Sequence, residues 1–336
     1  MNGKSILVTG ATGSFGKAFI KFLIKRYKKI KRLVIFSRDE LKQSEMAKVY
    51  DEKKYPFIRY FIGDVRDQKR LSRALNKIDI VIHSAALKQV PVAEYNPIEF
   101  IKTNILGAQN LIEASLNNNV SKVIALSTDK ACAPVNLYGA TKLCSDKLFI
   151  AANNYSGKNI FSVVRYGNVL GSRGSVLPLL MQYKNGGTFT ITSDEMTRFN
   201  ITLDQGVKAV DWAMQNSSGG EILIPKIPSY KLVNLIEAVG LKNKPKIIGL
   251  RKGEKVHEEM ITEADSYTTY DIGKYFLILP DNEKSTLNRF KKKLKVFKKI
   301  PNNFSYNSRD NDQFLSTNEL KKMIAHVGNF KKSDVG

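Results

Sequence analysis

Short apolar runs recur along the first half of the chain, each closed by small or polar residues and followed by a mixed segment of helical length. Lys4 to Thr9, Arg32 to Phe36, Ile58 to Ile62, Ile78 to His83, Val123 to Leu126 and Ile160 to Arg165 are such runs. Apolar stretches of this length read as strands, and Val123 to Leu126 as one buried in a parallel sheet. Their alternation with helical segments predicts an α/β fold, a doubly wound parallel sheet of Rossmann type. Past residue 170 the rhythm weakens, elements shorten, and Pro225, Pro228 and Pro245 interrupt the pattern. The expected division is a sheet domain over 1–170 with the catalytic residues, a smaller substrate-binding lobe over 171–300 interleaved with that core, and a tail over 301–336. The Asn, Ser and Asp residues around Asn302, Asn307 and Asn311 predict loose packing for that tail.

The punctuation between the runs carries the chemistry. Gly10-Ala11-Thr12-Gly13-Ser14-Phe15-Gly16 follows the first run at once. Glycines at this spacing give a tight turn, let the backbone approach a pyrophosphate, and aim a helix N-terminus at it. Gly10, Thr12, Gly13, Ser14, Phe15 and Gly16 are therefore candidate dinucleotide contacts. The second run ends in Ser37-Arg38-Asp39, with Lys42 close behind. An acid at this point marks NAD through the ribose hydroxyls, whereas an Arg accommodates the extra phosphate of NADP. Ser37 and Arg38 come first, so NADP is expected, although Asp39 could also reach the ribose. Asp64 and Val65 end the third run beside the adenine position. Small residues after the fourth, Ser84-Ala85-Ala86, admit the ribose. Lys88 could meet phosphate, substrate or solvent, and Thr103 lies on the helix opened by Asn96-Pro97.

The fifth run leads into Ser127-Thr128-Asp129-Lys130, and Tyr138-Gly139-Ala140-Thr141-Lys142 follows. Ligands of open α/β sheets bind at the carboxyl ends of strands, so this cluster belongs to a site. Tyr138 and Lys142, four apart, share one face of a helix. A cation near a phenol favours the phenolate, which suits Tyr138 to take a proton from a hydroxyl. Asn168 and Val169 follow the sixth strand. Arg198, Arg251 and Glu254 are expected in loops of the lobe, where an Arg pair would suit a diphosphate.

Composition narrows the partners. With 54 Lys and Arg against 31 Asp and Glu, the net charge of the 336-residue chain is +23. The basic residues gather along the first helix (Lys17, Lys21, Lys25, Arg26) and in a late run from Lys291 to Lys299. Neither block is interleaved with aromatics in a pattern that resembles a nucleic-acid module, so both read as solvated faces and no nucleic-acid partner is expected. No apolar run approaches the roughly 20 residues of a membrane helix. No stretch reads as a signal peptide, because Lys4-Ser5-Ile6-Leu7-Val8 passes straight into the glycine loop. Cys132 and Cys144 lack metal-site spacing and the three histidines are scattered, so no metal is expected and the cytoplasm is the expected location.

With these residues in view, the chain resembles the extended short-chain dehydrogenase/reductases, and among them the inverting UDP-N-acetylglucosamine 4,6-dehydratases of pseudaminic acid biosynthesis. The resemblance runs from about Met1 to Met260 and weakens in the tail. It rests on the glycine loop, Ser37-Arg38-Asp39-Glu40-Leu41-Lys42-Gln43, Ala85-Ala86-Leu87-Lys88-Gln89-Val90-Pro91, Ser127-Thr128-Asp129-Lys130-Ala131 and Asn136-Leu137-Tyr138-Gly139-Ala140-Thr141-Lys142. The glycine loop is general to the superfamily, whereas the Asp-Lys pair and Ala-Leu-Lys-Gln are more specific. Related capsule dehydratases and 5-epimerases often carry Met where this chain has Tyr138.

The resemblance implies a redox-neutral cycle with tightly bound, recycled NADP. Tyr138, helped by Lys142, would take the C4 hydroxyl proton as hydride leaves C4; Lys130 would remove the C5 proton; Asp129 would protonate the departing C6 hydroxyl. Hydride return to C6 gives UDP-2-acetamido-2,6-dideoxy-β-L-arabino-hex-4-ulose. Thr128 would orient substrate or nicotinamide. Lys88, Asn168, Val169, Arg198, Arg251 and Glu254 are candidate nucleotide-sugar contacts, and a homo-oligomer is implied. The rival enzymes are a retaining 4,6-dehydratase and a UDP-N-acetylglucosamine 4-epimerase. A rival of another class, a non-catalytic dinucleotide-binding regulator, would be expected to have lost Tyr138 or the Asp-Lys pair.

Overall fold

The computed structural model describes residues 1–172 and 174–333. The six apolar runs form strands β1 (Ser5–Thr9), β2 (Arg32–Ser37), β3 (Ile58–Ile62), β4 (Ile80–His83), β5 (Lys122–Thr128) and β6 (Ile160–Tyr166). They pair in parallel in the order β3-β2-β1-β4-β5-β6. Every residue of β1 and β4 is buried, the polar Ser5, Thr9 and His83 included, as befits strands covered on both faces, whereas only Ile58 of the edge strand β3 is buried. Ile222–Pro225 extends the sheet in parallel beyond β6, and Tyr275–Ile278, Thr269–Asp271 and Lys298–Lys299 add an antiparallel flank. The strand order reverses between β1 and β4. The chain after each of those strands leaves in opposite directions there, which opens a crevice at their carboxyl ends.

Helices α1 (Ser14–Arg26), α2 (Glu40–Val49), α3 (Gln68–Ala74), α4 (Val90–Tyr95), α5 (Pro97–Phe100), α6 (Gly107–Asn117) and α7 (Leu137–Ala152) cover the sheet. Asn136 starts α7, its side-chain oxygen accepting from Gly139 N at 2.8 Å. The helix opened by Pro97 is not regular: Ile101–Leu106 winds as a π-turn between α5 and α6. The wider turn delivers Asn104 to the loop after β4. There it bonds both backbone groups of Leu87 at 2.9 Å and donates to Thr141 Oγ1 at 3.0 Å. One buried amide thus ties the β4 loop to the helix that carries Tyr138.

The lobe has its own apolar core, formed by Leu170, Leu180, Ile191, Met196, Tyr230 and Leu235 among others. A three-stranded sheet of Ser229–Lys231, Thr197–Ile201 and Asn168–Val169 lies beside it. The expected loose packing of the tail does not hold. Tyr306 packs on Phe199 and Phe276, and its hydroxyl accepts from Ile227 N and donates to Ile227 O. Helix Thr317–Ser333 packs on helix Leu232–Val239, and Leu320 is fully buried in the lobe core. The polar residues suggestive of looseness serve specific turns instead: Asn311 Nδ2 donates to Ile227 O and Ser229 Oγ, both at 2.9 Å. Among the described residues, no helix is long and apolar enough to cross a membrane.

Candidate active site

A cavity of about 720 Å³ runs along the carboxyl ends of β1 to β6. Its floor is the glycine loop. Gly10 has φ +63°, and a Cβ there would lie 2.8 Å from Ala85 N; a Cβ on Gly16 would collide with Ala11 O. Helix α1 begins without a side-chain cap and with no acid in its first turn. Its positive dipole end faces the cavity, and the residues fit a dinucleotide pyrophosphate. Gly10, Thr12, Gly13, Ser14, Phe15 and Gly16 all line the cavity, as do Ser37, Arg38, Asp39 and Lys42 at the β2 end. Asp64, Val65, Ala85, Lys88 and Thr103 complete this side.

The polar groups at the β2 end are partly committed to one another. Asp39 caps α2 by accepting from Lys42 N at 3.0 Å, and it also pairs with the Lys42 ammonium. Asp64 accepts from Arg66 at 2.7 and 2.9 Å and lies 3.6 Å from Arg38 Nη1. Burial opposes its ionisation, but the Arg66 hydrogen bonds and the Arg38 charge hold its carboxyl below the usual range. Gln43, which the sequence did not single out, donates to Ser37 O, Ser37 Oγ and Phe61 O and so fixes the ends of β2 and β3.

Thr128, Lys130, Tyr138, Lys142, Asn168 and Val169 line the other end of the same cavity. Asp129 is fully buried just behind them. Thr128 Oγ1 donates to Asp129 Oδ1 at 2.9 Å, and Lys130 Nζ lies 3.1 Å from that same oxygen. The ammonium also reaches Asn168 Oδ1 at 3.4 Å and Glu258 Oε1 at 3.1 Å. Burial disfavours its charge, yet Asp129 and Glu258 together push the Lys130 pKa above the ordinary value. Burial pushes the Asp129 carboxyl up, against the opposing charge of Lys130. Burial also pushes the Tyr138 phenol up to about 12, opposed first by the Lys130 charge and then by a hydrogen bond with Thr128. Tyr138 and Lys142 do share a face of α7, but in the ligand-free site Lys130 is the cation that most favours the phenolate. Burial lowers the Lys142 pKa, and the charge of Asp146 works the other way.

The remaining substrate candidates lie apart from the lining. Arg198 is in a strand rather than a loop, and its guanidinium donates to the carbonyls of Thr197, Val256 and Lys255 at 2.7–3.0 Å. Its Nε stands 3.7 Å from Glu258 Oε1, so it faces the rear of Lys130 rather than the cavity. Arg251 is exposed on the loop before Glu258, and Glu254 accepts from Thr192 Oγ1 at 2.8 Å. Glu258 escaped the sequence reading because it comes from a distant, irregular segment with no periodicity to mark an inward carboxylate. Among the described residues no group of His, Cys, Asp and Glu could hold a metal ion.

An open parallel sheet with a dinucleotide cavity, ending in a Thr, a Tyr-x-x-x-Lys pair and an Asp-Lys pair, defines an extended short-chain dehydrogenase/reductase. More particularly, residues 6–280 match the polysaccharide biosynthesis protein family, and the chain belongs to it. It is 52% identical, over 98% of its length and 99% of the relative's, to a Campylobacter jejuni protein named UDP-N-acetylglucosamine 4,6-dehydratase (inverting). It is 40% identical, over 96% of the chain and 95% of the relative, to a Rickettsia akari protein named UDP-glucose 4-epimerase. Among solved structures, Pen from Bacillus thuringiensis superposes with TM-score 0.86 at 34% identity, covering 97% of this chain and 98% of that one. The dTDP-glucose 4,6-dehydratase DesIV of Streptomyces venezuelae, solved with NAD and TYD, shares the fold at TM-score 0.67 and 21% identity over 75% of this chain and 86% of that one.

Proposed function

We propose that the chain is a UDP-N-acetylglucosamine 4,6-dehydratase that inverts C5. The observation that carries this reading is the acid–cation pair Asp129–Lys130 at 3.1 Å, set beside Tyr138 at one end of a dinucleotide cavity. The 52% identity to the Campylobacter jejuni dehydratase supports the substrate and the stereochemical outcome. A nicotinamide dinucleotide in the cavity supplies a hydride acceptor for C4 and a hydride donor for C6. Tyr138 takes the C4 hydroxyl proton, its phenolate favoured by Lys130, Lys142 and the Thr128 hydroxyl. The C4 ketone acidifies C5. Once C4 is oxidised, one proton passes across the Lys130–Asp129 contact, leaving Lys130 a neutral amine and Asp129 a carboxylic acid. Lys130 then takes the C5 proton, Asp129 gives its proton to the C6 hydroxyl, water leaves, and a C5–C6 double bond forms. Each positioned proton transfer is worth about a hundredfold to ten-thousandfold. Protonation of C5 on the opposite face inverts that centre.

The test is turnover of UDP-N-acetylglucosamine in deuterium oxide followed by NMR of the sugar. A 4-keto-6-deoxy product with deuterium at C5 and inverted C5 coupling is expected. Retention at C5, or a C4 epimer, overturns the assignment in favour of the rival enzymes.

NADP is the proposed cofactor, because Arg38 stands half-exposed on the cavity at the end of β2 while Asp39 is engaged by α2 and Lys42. Arg38→Ala is expected to weaken NADP about ten- to a hundredfold, the worth of a charged hydrogen bond, and to leave NAD nearly unchanged. Titration of both cofactors by tryptophan or ligand fluorescence decides it; equal losses for both refute the reading. A homo-oligomer is part of the proposal, supported by the exposed Val92, Tyr95, Ile98 and Leu106 on α4 to α6. A cytoplasmic setting and a place in pseudaminic acid biosynthesis complete it. Cys132 and Cys144 are both free thiols, which accords with a reducing compartment.

A further inference from the structure

Lys130 has a second carboxylate, and the proposed chemistry has so far used only the first. Glu258 is 3% exposed, absent from the cavity lining, and 3.1 Å from Lys130 Nζ through Oε1. Its Oε2 has no hydrogen-bond partner among the described residues. A buried carboxylate with one oxygen unsatisfied is costly and is kept charged only by nearby cations. Here these are Lys130, then Arg198, with a smaller contribution from Lys255, and they hold the Glu258 carboxyl below the usual range although burial pushes it up. The backbone around it is fastened from the C-terminal segment: Glu258 N donates to Ser308 Oγ at 2.9 Å, and Ser308 N donates to Glu258 O at 2.7 Å. The segment beyond residue 301 therefore contributes to the placement of this side chain.

Resting on the dehydratase reading, we propose that Glu258 is a positioning residue that aims Lys130 at C5 and stabilises the ammonium formed when Lys130 takes the C5 proton. The balance is that of the elimination itself. The C5–H bond breaks and an N–H bond forms on Lys130, while Asp129 loses its proton to the leaving C6 hydroxyl. The three side chains end as carboxylate, ammonium and carboxylate, with the new positive charge between two negative ones. A carboxylate behind a base supports the charged form of that base in the same way in hydrolase triads. The reset passes a proton from Lys130 back to Asp129, which share the 3.1 Å contact, so Glu258 need not change its own charge. The charged and titratable groups facing Lys130 are Asp129 from the β5 end, Glu258, Arg198, Lys88, Tyr138 and Tyr230. Glu258 and Asp129 are the nearest of these, both in ion-pair contact.

The experiment compares the full-length wild type, E258D and E258Q as pH profiles of kcat, read as C5 deuterium incorporation from UDP-N-acetylglucosamine, with thermal melts of each. Removing the charge weakens Lys130 as a base. The pH of half-maximal kcat on the rising limb should fall by one unit or more in E258Q, and its plateau should fall several-fold with KM changed less than threefold. E258D, whose shorter arm draws the carboxylate back, should lie between. A plateau that drops with the limb unmoved in both variants marks a merely structural role and overturns the proposal. Should E258Q not fold, the wild type and E258D decide alone: coincident limbs overturn it, a lowered limb sustains it. A wild type that yields no 4-keto-6-deoxy product overturns the dehydratase reading itself, and this proposal with it.

Discussion

Lys130→Ala is expected to reduce dehydration by about a hundredfold to ten-thousandfold, the usual worth of a positioned base, while the cofactor still binds. Lys130 contacts Asp129, Asn168 and Glu258 at the sugar end, whereas the glycine loop and α1 N-terminus that would hold the pyrophosphate lie at the other end of the cavity. Oxidation at C4 depends on Tyr138 and Lys142 and should survive in part. The variant should therefore accumulate reduced nicotinamide on adding substrate, with no deuterium entering C5. The pH dependence of folding should change as well. Lys130 has a raised pKa, so its contribution is complete below the ordinary lysine value and is lost as pH rises through the folded one. Glu258 has a lowered pKa, so its contribution is present above the ordinary glutamate value and is lost as pH falls through the folded one. Without Lys130 both dependences should flatten. Chemical denaturation at several pH values reads this, and normal turnover with C5 exchange would remove Lys130 from the base role.

Much of the Rossmann half was legible because its signals are local. A short apolar run closed by small or polar residues reads as a sheet strand, as all six do, although β3 at the sheet edge is not covered on both faces. A glycine triplet after the first run has few uses besides a phosphate turn. Apart from Thr103, the candidate cofactor contacts from Gly10 to Lys88 follow from strand ends, and all of them line one cavity. What stayed hidden depends on distance in sequence. Glu258 meets Lys130 only because Arg198 and Ser308, from two other segments, fix it there. Arg198 looked like a loop residue free for a diphosphate; its donors are instead taken by three carbonyls of its own lobe. The π-turn over Ile101–Leu106 has no signature in a sequence of ordinary helix formers, yet it determines where Asn104 points. Composition misled in the tail, because Asn and Ser residues that suggest disorder serve equally well as turn and hydrogen-bonding groups in a packed segment.

Asp146→Ala is expected to destabilise the fold by about 3–5 kcal/mol, the cost of leaving a buried charge without its partner. Asp146 sits one turn after Lys142 on α7, with 1% of its side chain exposed, 3.3 Å from the equally buried Arg165 of β6. Burial works against the Arg165 charge, but Asp146 is the largest of the influences that keep it. Asp265, at 3.9 Å and one-third exposed, is a poor substitute. Arg165 also donates to Met260 O at 3.1 Å, and Ser127 Oγ donates to Asp146 Oδ2 at 2.6 Å. The pair thus joins β5, β6, α7 and the strand that follows Glu258, which are the elements presenting Thr128, Lys130, Tyr138 and Lys142. Removing both partners, as Asp146→Ala with Arg165→Met, should recover a large part of the loss, because no buried charge then remains unpaired. Urea titrations of the two single variants and the double variant separate the pair from its neighbours. A single-variant loss below about 1 kcal/mol, the range of an exposed ion pair, would mean that water reaches Arg165 and that the pair does not brace the site.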